Sequence, residues 1–307
     1  EHPMNKPRIL IIGQNGQVAW ELQRSLATLG ELHIASRDSN TLFVDLAQPD
    51  SIHPLIQQLR PHWIINAAAY TAVDKAESEA KLAMTINGDA PTALAAAAKD
   101  VDALLVHYST NHVFDGTADH PYRETDATNP QSVYGRSKLA GEEGIRRSGC
   151  AHLILRTSWV YGARGHNFLR TMCRMAREYE TLRIVADQFG APTWSRNIAE
   201  ATSQILVQLG TRQQDWAAAT GTYHLSSTGQ TSWYEFASCI IAHQRRHEHI
   251  KTLAVQPITT EEYPLPAPRP LFSVLDTRRI GEQFGLFMPH WRDALEQVLT
   301  ELETSSQ

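Results

Sequence analysis

Arg8-Ile9-Leu10-Ile11-Ile12 runs straight into Gly13-Gln14-Asn15-Gly16-Gln17-Val18-Ala19, an apolar run that ends in G-x-x-G-x-x-A. The first five residues have the length and composition of a strand buried on both faces. The residues after them, Gln17–Leu29, carry a helical apolar pattern. Such a strand-to-helix turn lets the backbone bend tightly at Gly13 and approach a ligand at Gly16, while Ala19 is small enough for the helix to lie on the strand. The amides that open the helix suit a pyrophosphate, so Gly13, Gly16, Gln17 and Val18 are expected contacts of a dinucleotide. A turn that needs glycine for steric reasons alone would look the same in isolation.

It is not isolated. Strand candidates Glu31–Ala35, Trp63–Asn66, Ala103–Ser109 and His152–Thr157 alternate with helical patterns over Ser51–Leu59, Glu77–Lys99 and Tyr134–Arg147. Apolar runs alternating with crossover helices predict an α/β fold, a Rossmann-type doubly wound parallel sheet. Beyond residue 160 the pattern loosens, with helices expected over Phe168–Arg177, Ile198–Leu209, Trp233–His243 and Trp291–Glu303. Pro257, Pro264, Pro266, Pro268 and Pro270 mark an irregular connection. The expected organisation is an NAD(P)-binding domain over 4–160, to which later segments return, and a smaller C-terminal α/β substrate lobe over 161–303. Glu1-His2-Pro3 ahead of Met4 reads as a tag remnant and is left out of the fold reading.

Composition narrows the function classes. The 307 residues make about two domains at ~150 residues each, or one large α/β unit with a lobe. With 42% hydrophobic and 20% charged residues the chain is not a disordered one, and a net charge of −5 predicts no nucleic-acid surface. No apolar run approaches the ~18 residues of a membrane span. Cys150, Cys173 and Cys239 lie far apart without C-x-x-C spacing, which fits a reducing cytoplasm and argues against disulfides and structural zinc. The count of 14 histidines is the unusual one. His53, His62 and His120 read as surface residues. His243, His247 and His249 fall in a basic stretch expected to be exposed; His243 and His247 share a helical face, but the adjacent arginines weigh against a metal site there.

The ends of the later strands carry the rest of the cofactor pattern. Ala35-Ser36-Arg37-Asp38 closes the second strand, and Ser36 with Arg37 would accept a 2′-phosphate, favouring NADPH with NADH still open. Arg37 as a solvated loop residue is the competing reading. Asp45 and Leu46, after a third short strand, would flank the adenine. Ala67, Ala68 and Ala69 follow Asn66 with the small side chains that a close backbone approach requires, and Thr71 comes just after them.

Tyr134-Gly135-Arg136-Ser137-Lys138 places a phenol and an ammonium four residues apart, on one helical face. A phenol near pKa 10 is a poor acid–base group at neutral pH unless its anion is stabilised, and a lysine one turn away does that and can hold a ribose. Upstream, the strand Val106-His107-Tyr108-Ser109-Thr110 ends in two hydroxyls, with Thr110 placed to donate to a reacting carbonyl. Tyr108 is expected beside the cofactor.

Together G-x-x-G-x-x-A, N-A-A-A, Y-S-T and Y-G-x-x-K resemble the extended short-chain dehydrogenase/reductase family. Longer strings resemble its dTDP-4-dehydrorhamnose reductase branch. They are Gly16-Gln17-Val18, Asn66 through Glu77, Arg156-Thr157-Ser158-Trp159-Val160-Tyr161, Asp187 through Thr193, and Tyr223-His224-Leu225. The resemblance runs from Arg8 to Glu303. It implies an NADPH-dependent 4-ketoreductase of a dTDP-sugar, with Tyr134 as proton donor, Lys138 as its partner and Thr110 polarising the carbonyl. It also implies that Trp159 lies against the sugar nucleotide and that Arg269, between Pro268 and Pro270, contacts a phosphate; a plain turn arginine is the alternative.

The chain departs from the family pattern twice. Where the family reads S-T-D-Y-V-F-D-G, this chain has Asn111 and His112, expected substrate-side residues whose change puts the identity of the sugar in doubt. His112 is either a pH-sensitive substrate contact or a filler of the phenol's volume. Some family members hold magnesium through three glutamates at a dimer contact; here Glu21 and Glu301 remain but the third position is Arg196. An ion pair is then expected and no metal, with a monomer or homodimer left open. Two other readings stand beside the enzyme: a reductase for a different dTDP-4-keto-6-deoxy sugar, and a non-catalytic dinucleotide-binding subunit resembling the regulatory subunit of methionine adenosyltransferase. Retention of Tyr134, Lys138, Thr110 and Trp159 favours catalysis.

Overall fold

The computed structural model describes residues 6–38 and 40–305; the Glu1-His2-Pro3 stretch and the start of the expected first domain at Met4 lie outside them. Six strands form along the first half of the chain: β1 (Arg8–Ile12), β2 (Glu31–Ser36), β3 (Leu42–Phe43), β4 (Trp63–Asn66), β5 (Leu104–Thr110) and β6 (His152–Thr157). The shorter β7 (Val160–Tyr161), β8 (Thr181–Val185), β9 (Phe189–Gly190) and β10 (Thr193–Trp194) follow, then β11 (Gly221–His224), β12 (Thr231–Ser232) and β13 (Ala254–Ile258). The main sheet is parallel throughout, in the order β11-β6-β5-β4-β1-β2-β3. This is the doubly wound sheet expected from the alternating pattern.

The connecting helices are α1 (Gln17–Ser25), α2 (Ile52–Leu59), α3 (Val73–Ala76), α4 (Ala80–Met84), α5 (Ala90–Asp100) and α6 (Val133–Ser148). Later come α7 (Phe168–Glu178), α8 (Ser195–Leu209), α9 (Gln213–Ala219), α10 (Trp233–His247), α11 (Arg278–Phe284) and α12 (Trp291–Ser305). The helix expected over Glu77–Lys99 is instead interrupted. Pro91 has no N–H for the α pattern, and the chain takes one π turn over Thr85–Asp89 before α5 begins. That turn aims Asn87 inward, where it bonds both backbone groups of Tyr70 at 2.9 Å and donates to Ser137 Oγ at 3.0 Å.

Alternation along the strands sorts the core. Ile9, Ile11, Ile65, Val106 and Leu155 face one way, onto Leu22 of α1, Ile198 and Ile205 of α8, Trp216 of α9 and Phe284 of α11. Leu10, Ile12, Ile64 and Leu105 face the other, onto Ile56 of α2, Leu94 of α5 and Ile145 of α6. Thus α8, α9, β11 and α11 rejoin the sheet. A third cluster, with Leu169, Met172, Phe236, Ile240, Trp291 and Leu295, joins α7, α10 and α12 and includes Ile184 of the β8–β13 pair. Pro257, read from the sequence as part of an irregular connection, sits in β13; the pair has only two strands, so a missing N–H is tolerated. His62, read as a surface residue, is half-buried and accepts from the Arg8 amide at 3.0 Å.

Candidate active site

Strand β1 pairs with β2 on one side and β4 on the other, so the winding reverses there and a crevice opens beyond the carboxyl ends of these strands. Gly13 turns the chain at φ +111°, and a side chain there would press on Ala19 Cβ and the Ala67 carbonyl at 3.3 Å. Gly16 caps α1 without a side-chain bond, and Trp20 is the first helix residue to donate back to it. The amides of residues 17–19 are left for an anion. A cleft of about 490 Å³ is lined by Gly13, Ser36, Arg37, Asp45 and Leu46, and by Ala68, Ala69 and Thr71. Arg37 is exposed and pairs with no carboxylate among the described residues. A backbone donor array, a floor of alanines and an unpaired cation at the rim fit an adenine dinucleotide with a 2′-phosphate.

Three expected cofactor contacts point elsewhere. The Gln17 amide accepts from Asn167 Nδ2 at 3.1 Å, and Val18 packs into the sheet core, so these two offer only backbone amides. The Tyr108 hydroxyl shares a 2.7 Å bond with Thr202 of α8. Its carbonyl, however, accepts from Lys138 Nζ at 2.7 Å.

The reacting corner lies one strand further along, at the end of β5. Thr110 Oγ1 accepts from the His112 amide at 3.1 Å, which starts a single 3₁₀ turn over Asn111–Val113. Ser132 caps α6 by accepting from the Gly135 amide at 3.0 Å. Gly135 is required for a different reason: a Cβ there would collide with the His112 carbonyl, so only glycine lets the turn and the helix close on each other. The Tyr134 phenol lies beside the Thr110 side chain; burial raises its pKa, and the Thr110 hydroxyl opposes the rise. Lys138 is 3% exposed, and burial brings it down to about 8 against the pull of the Glu142 carboxylate.

Glu142 continues the four-residue spacing of Tyr134 and Lys138 and is fully buried. Arg156 of β6 grips it with two bonds of 2.8 and 2.7 Å, and Arg146 adds a third at 2.8 Å. Burial pulls the Glu142 carboxyl upward, but Arg156, Ser109 and Arg146 outweigh it and hold it at about 2.

The surrounding residues form the substrate side. The His112 ring meets the Tyr134 ring edge-on at 5.3 Å, and burial, with the charge of Arg269, lowers its pKa to about 4. Asn111 is 1% exposed and donates to Ser158 Oγ and the Ser273 carbonyl at 3.4 and 3.3 Å, the second a bond an ionised aspartate could not make. Trp159 stands at φ +46° and stacks on Trp233 of α10 at 3.6 Å. Arg269 is held in a fork by Asp74 at 2.9 and 2.8 Å, so the expected phosphate contact is already paired.

Comparison with known proteins places the chain in a family. The family model described as RmlD substrate binding domain matches residues 7–304. A dTDP-4-dehydrorhamnose reductase of Burkholderia thailandensis is 48% identical over 96% of this chain and 99% of the relative; one of Salmonella typhimurium is 42% identical over 97% and 99%. This chain belongs to that family. The crystal structure of the Clostridium acetobutylicum dTDP-4-dehydrorhamnose reductase overlays on it with a TM-score of 0.86 at 35% identity, over 96% of this chain and 99% of the other. The Bacillus anthracis enzyme, solved in complex with NADP, does so with a TM-score of 0.85 at 35% identity, with the same coverage.

For a family member the ion-pair expectation is met: Arg196 bonds Glu21 at 3.2 Å and Glu301 at 2.9 Å, joining α8 to α1 and α12. The sequence reading missed Glu142, Asn87, Gly135 and Trp233, and Lys75 and Leu82 in the cleft wall. For Glu142 a signal existed in the spacing 134, 138, 142. The others depend on what the fold brings against them. A second cavity of about 470 Å³, with Arg146, Arg156 and Arg279 on its wall, lies beyond Glu142 and holds none of the expected site residues.

Proposed function

We propose that the chain reduces the 4-keto group of dTDP-4-dehydro-6-deoxy-L-mannose to give dTDP-L-rhamnose, with NADPH as reductant. The observation that carries this is the Tyr134–Thr110 pair at the end of β5, with Lys138 buried one turn along α6 beside the crevice. The names of relatives identical at 48 and 42% support the substrate. Gly13, the α1 amides, Ser36, Arg37, Asp45, Leu46, Ala67–Ala69 and Thr71 would hold the dinucleotide, and when bound it supplies the hydride. Tyr134, kept protonated by burial, delivers the proton to the 4-oxygen while Thr110 donates to the same atom. Lys138 stays anchored on the Tyr108 carbonyl, where its charge favours the phenolate left behind.

Trp159 and Trp233 form an aromatic wall for the sugar nucleotide, with Asn111 holding the floor. Arg269 keeps Nε–H and one Nη2–H for a diphosphate after Asp74 takes its share. Among the described residues no helix is long and apolar enough to cross a membrane, and all three cysteines are free. We read the chain as a cytoplasmic enzyme, a monomer or homodimer. His112 in place of a phenol favours a second reading, a different dTDP-4-keto-6-deoxy sugar. The test is NADPH oxidation followed by its absorbance with enzymatically prepared dTDP-4-keto-rhamnose, and identification of the product by NMR. Oxidation with dTDP-L-rhamnose as product is expected. Tight NADPH binding without turnover would remove the enzyme reading, and turnover only on another keto sugar would select the second one.

A further inference from the structure

We propose that His243, His247 and Glu303 form a binding site for one divalent transition-metal ion of the zinc type, remote from the reaction. The sequence set two of these residues on one face of α10, with arginines as an argument against metal; the fold changes both sides of that argument. Glu303 arrives from the last turn of α12, and the three ligating atoms lie within 4.8 Å of one another. Arg245 turns away to donate to the Thr252 carbonyl at 3.0 Å. Nor is the stretch uniformly exposed: the His243 side chain is only 16% exposed.

The hydrogen positions argue for a cation. His247 Nδ1 lies 2.9 Å from the His243 carbonyl, which can only accept, so Nδ1 carries the proton. In the neutral ring Nε2 is then a bare lone pair, and it faces Glu303 Oε1 at 3.2 Å. His243 Nε2 is buried against the same carboxylate without a well-directed hydrogen bond. Two ring nitrogens and a carboxylate thus converge on one point, where a single cation would engage all three lone pairs at once. A ring N–H fixed by a carbonyl is also how ligating histidines are oriented.

Both ligand-bearing turns are helix C-termini, whose carbonyl ends favour positive charge. Two imidazoles and a carboxylate suit zinc, cobalt or nickel and not magnesium, which prefers oxygen. With bonds of about 2.0–2.2 Å, tetrahedral ligands sit about 3.4 Å apart, within the spread seen here. A bound ion would pin the end of α12 to α10, two residues from the Glu301 that holds Arg196.

The test is calorimetric titration of chelator-treated full-length protein with zinc, with cobalt absorption as a geometric probe. One equivalent should bind, with tetrahedral cobalt bands and a zinc-dependent rise in Tm. His247→Ala and Glu303→Gln, both at the rim, should each weaken binding by about tenfold or more and lose the Tm rise, with circular dichroism unchanged. Binding that is unaltered in both variants, no stoichiometric binding, or equal competition by magnesium would each overturn the proposal. Should His243→Ala fail to fold, the two rim variants still decide.

Discussion

The dinucleotide cleft and the reacting corner open from neighbouring strands, β4 and β5, yet they are made of different material. The cleft is largely backbone and small side chains, Gly13, the α1 amides, Ala68 and Ala69, with its charges, Arg37, Asp45, Lys75 and Glu79, spread along the wall. The corner is a column of polar side chains along one face of α6, Tyr134, Lys138 and Glu142, clamped from β5 and β6 by Thr110, the Tyr108 carbonyl and Arg156. A surface of backbone has few side chains to lose, so single changes there should act weakly and on binding. A buried charged column has no spare partners, so single changes there should act strongly, on turnover or on folding.

Removing the phenol is the sharpest way to break this contrast. Tyr134→Phe should lower kcat about 10²–10⁴-fold, read by NADPH oxidation, while NADPH affinity by fluorescence titration stays as in the wild type. A parallel loss of affinity would mean that cleft and corner are one unit.

Glu142→Gln comes next, because it leaves Arg156, 2% exposed, without its counter-charge. Breaking such a pair costs about 3–5 kcal/mol, measurable by urea denaturation. The pH dependence has a definite sign. Glu142 is held at about 2 in the fold, below the ~4.3 of an unfolded glutamate, so its stabilisation is complete above about pH 4.3 and is lost as pH falls toward 2. The variant should lack that part of the acid sensitivity. A stability within about 1 kcal/mol of wild type would show that the column is not held by this pair.

The contrast also decides what could be read from residues alone. The cleft was legible because local rules build it: an apolar run, glycine at a positive φ, alanines at a strand end. Tyr134, Lys138 and Thr110 were legible as spacing plus order. Glu142 shares their spacing, but its importance depends on Arg156 of β6, whose place against α6 no local pattern encodes. The return of β11 was hidden for a related reason. Gly221–His224 is four residues with no apolar run, and it becomes a strand only because β6 offers an open edge. Asn87 looked like one residue of a long helix until Pro91 forced the π turn that aims it at Tyr70. In each case the missing information is a partner distant in sequence.

On the weak side of the comparison, Arg37→Ala should raise the KM for NADPH about tenfold, the size of one charge-assisted contact at an exposed site, and leave NADH unchanged. Equal changes for both cofactors would remove the 2′-phosphate from this residue.

The smallest effect is expected at His112, where the two regions' logic meets. An imidazole near a reacting carbonyl suggests an acidic limb in the pH profile, since an unperturbed histidine titrates near 6.5. Here burial and the charge of Arg269 lower it to about 4, so the ring is neutral across the working range and acts by shape against Tyr134. His112→Gln should therefore leave the pH dependence of kcat/KM between about pH 5.5 and 7.5 unchanged, with at most a few-fold change in its height. Loss of an acidic limb in the variant would mean that His112 does titrate in that range, and that the corner keeps a second proton-handling group beside Tyr134.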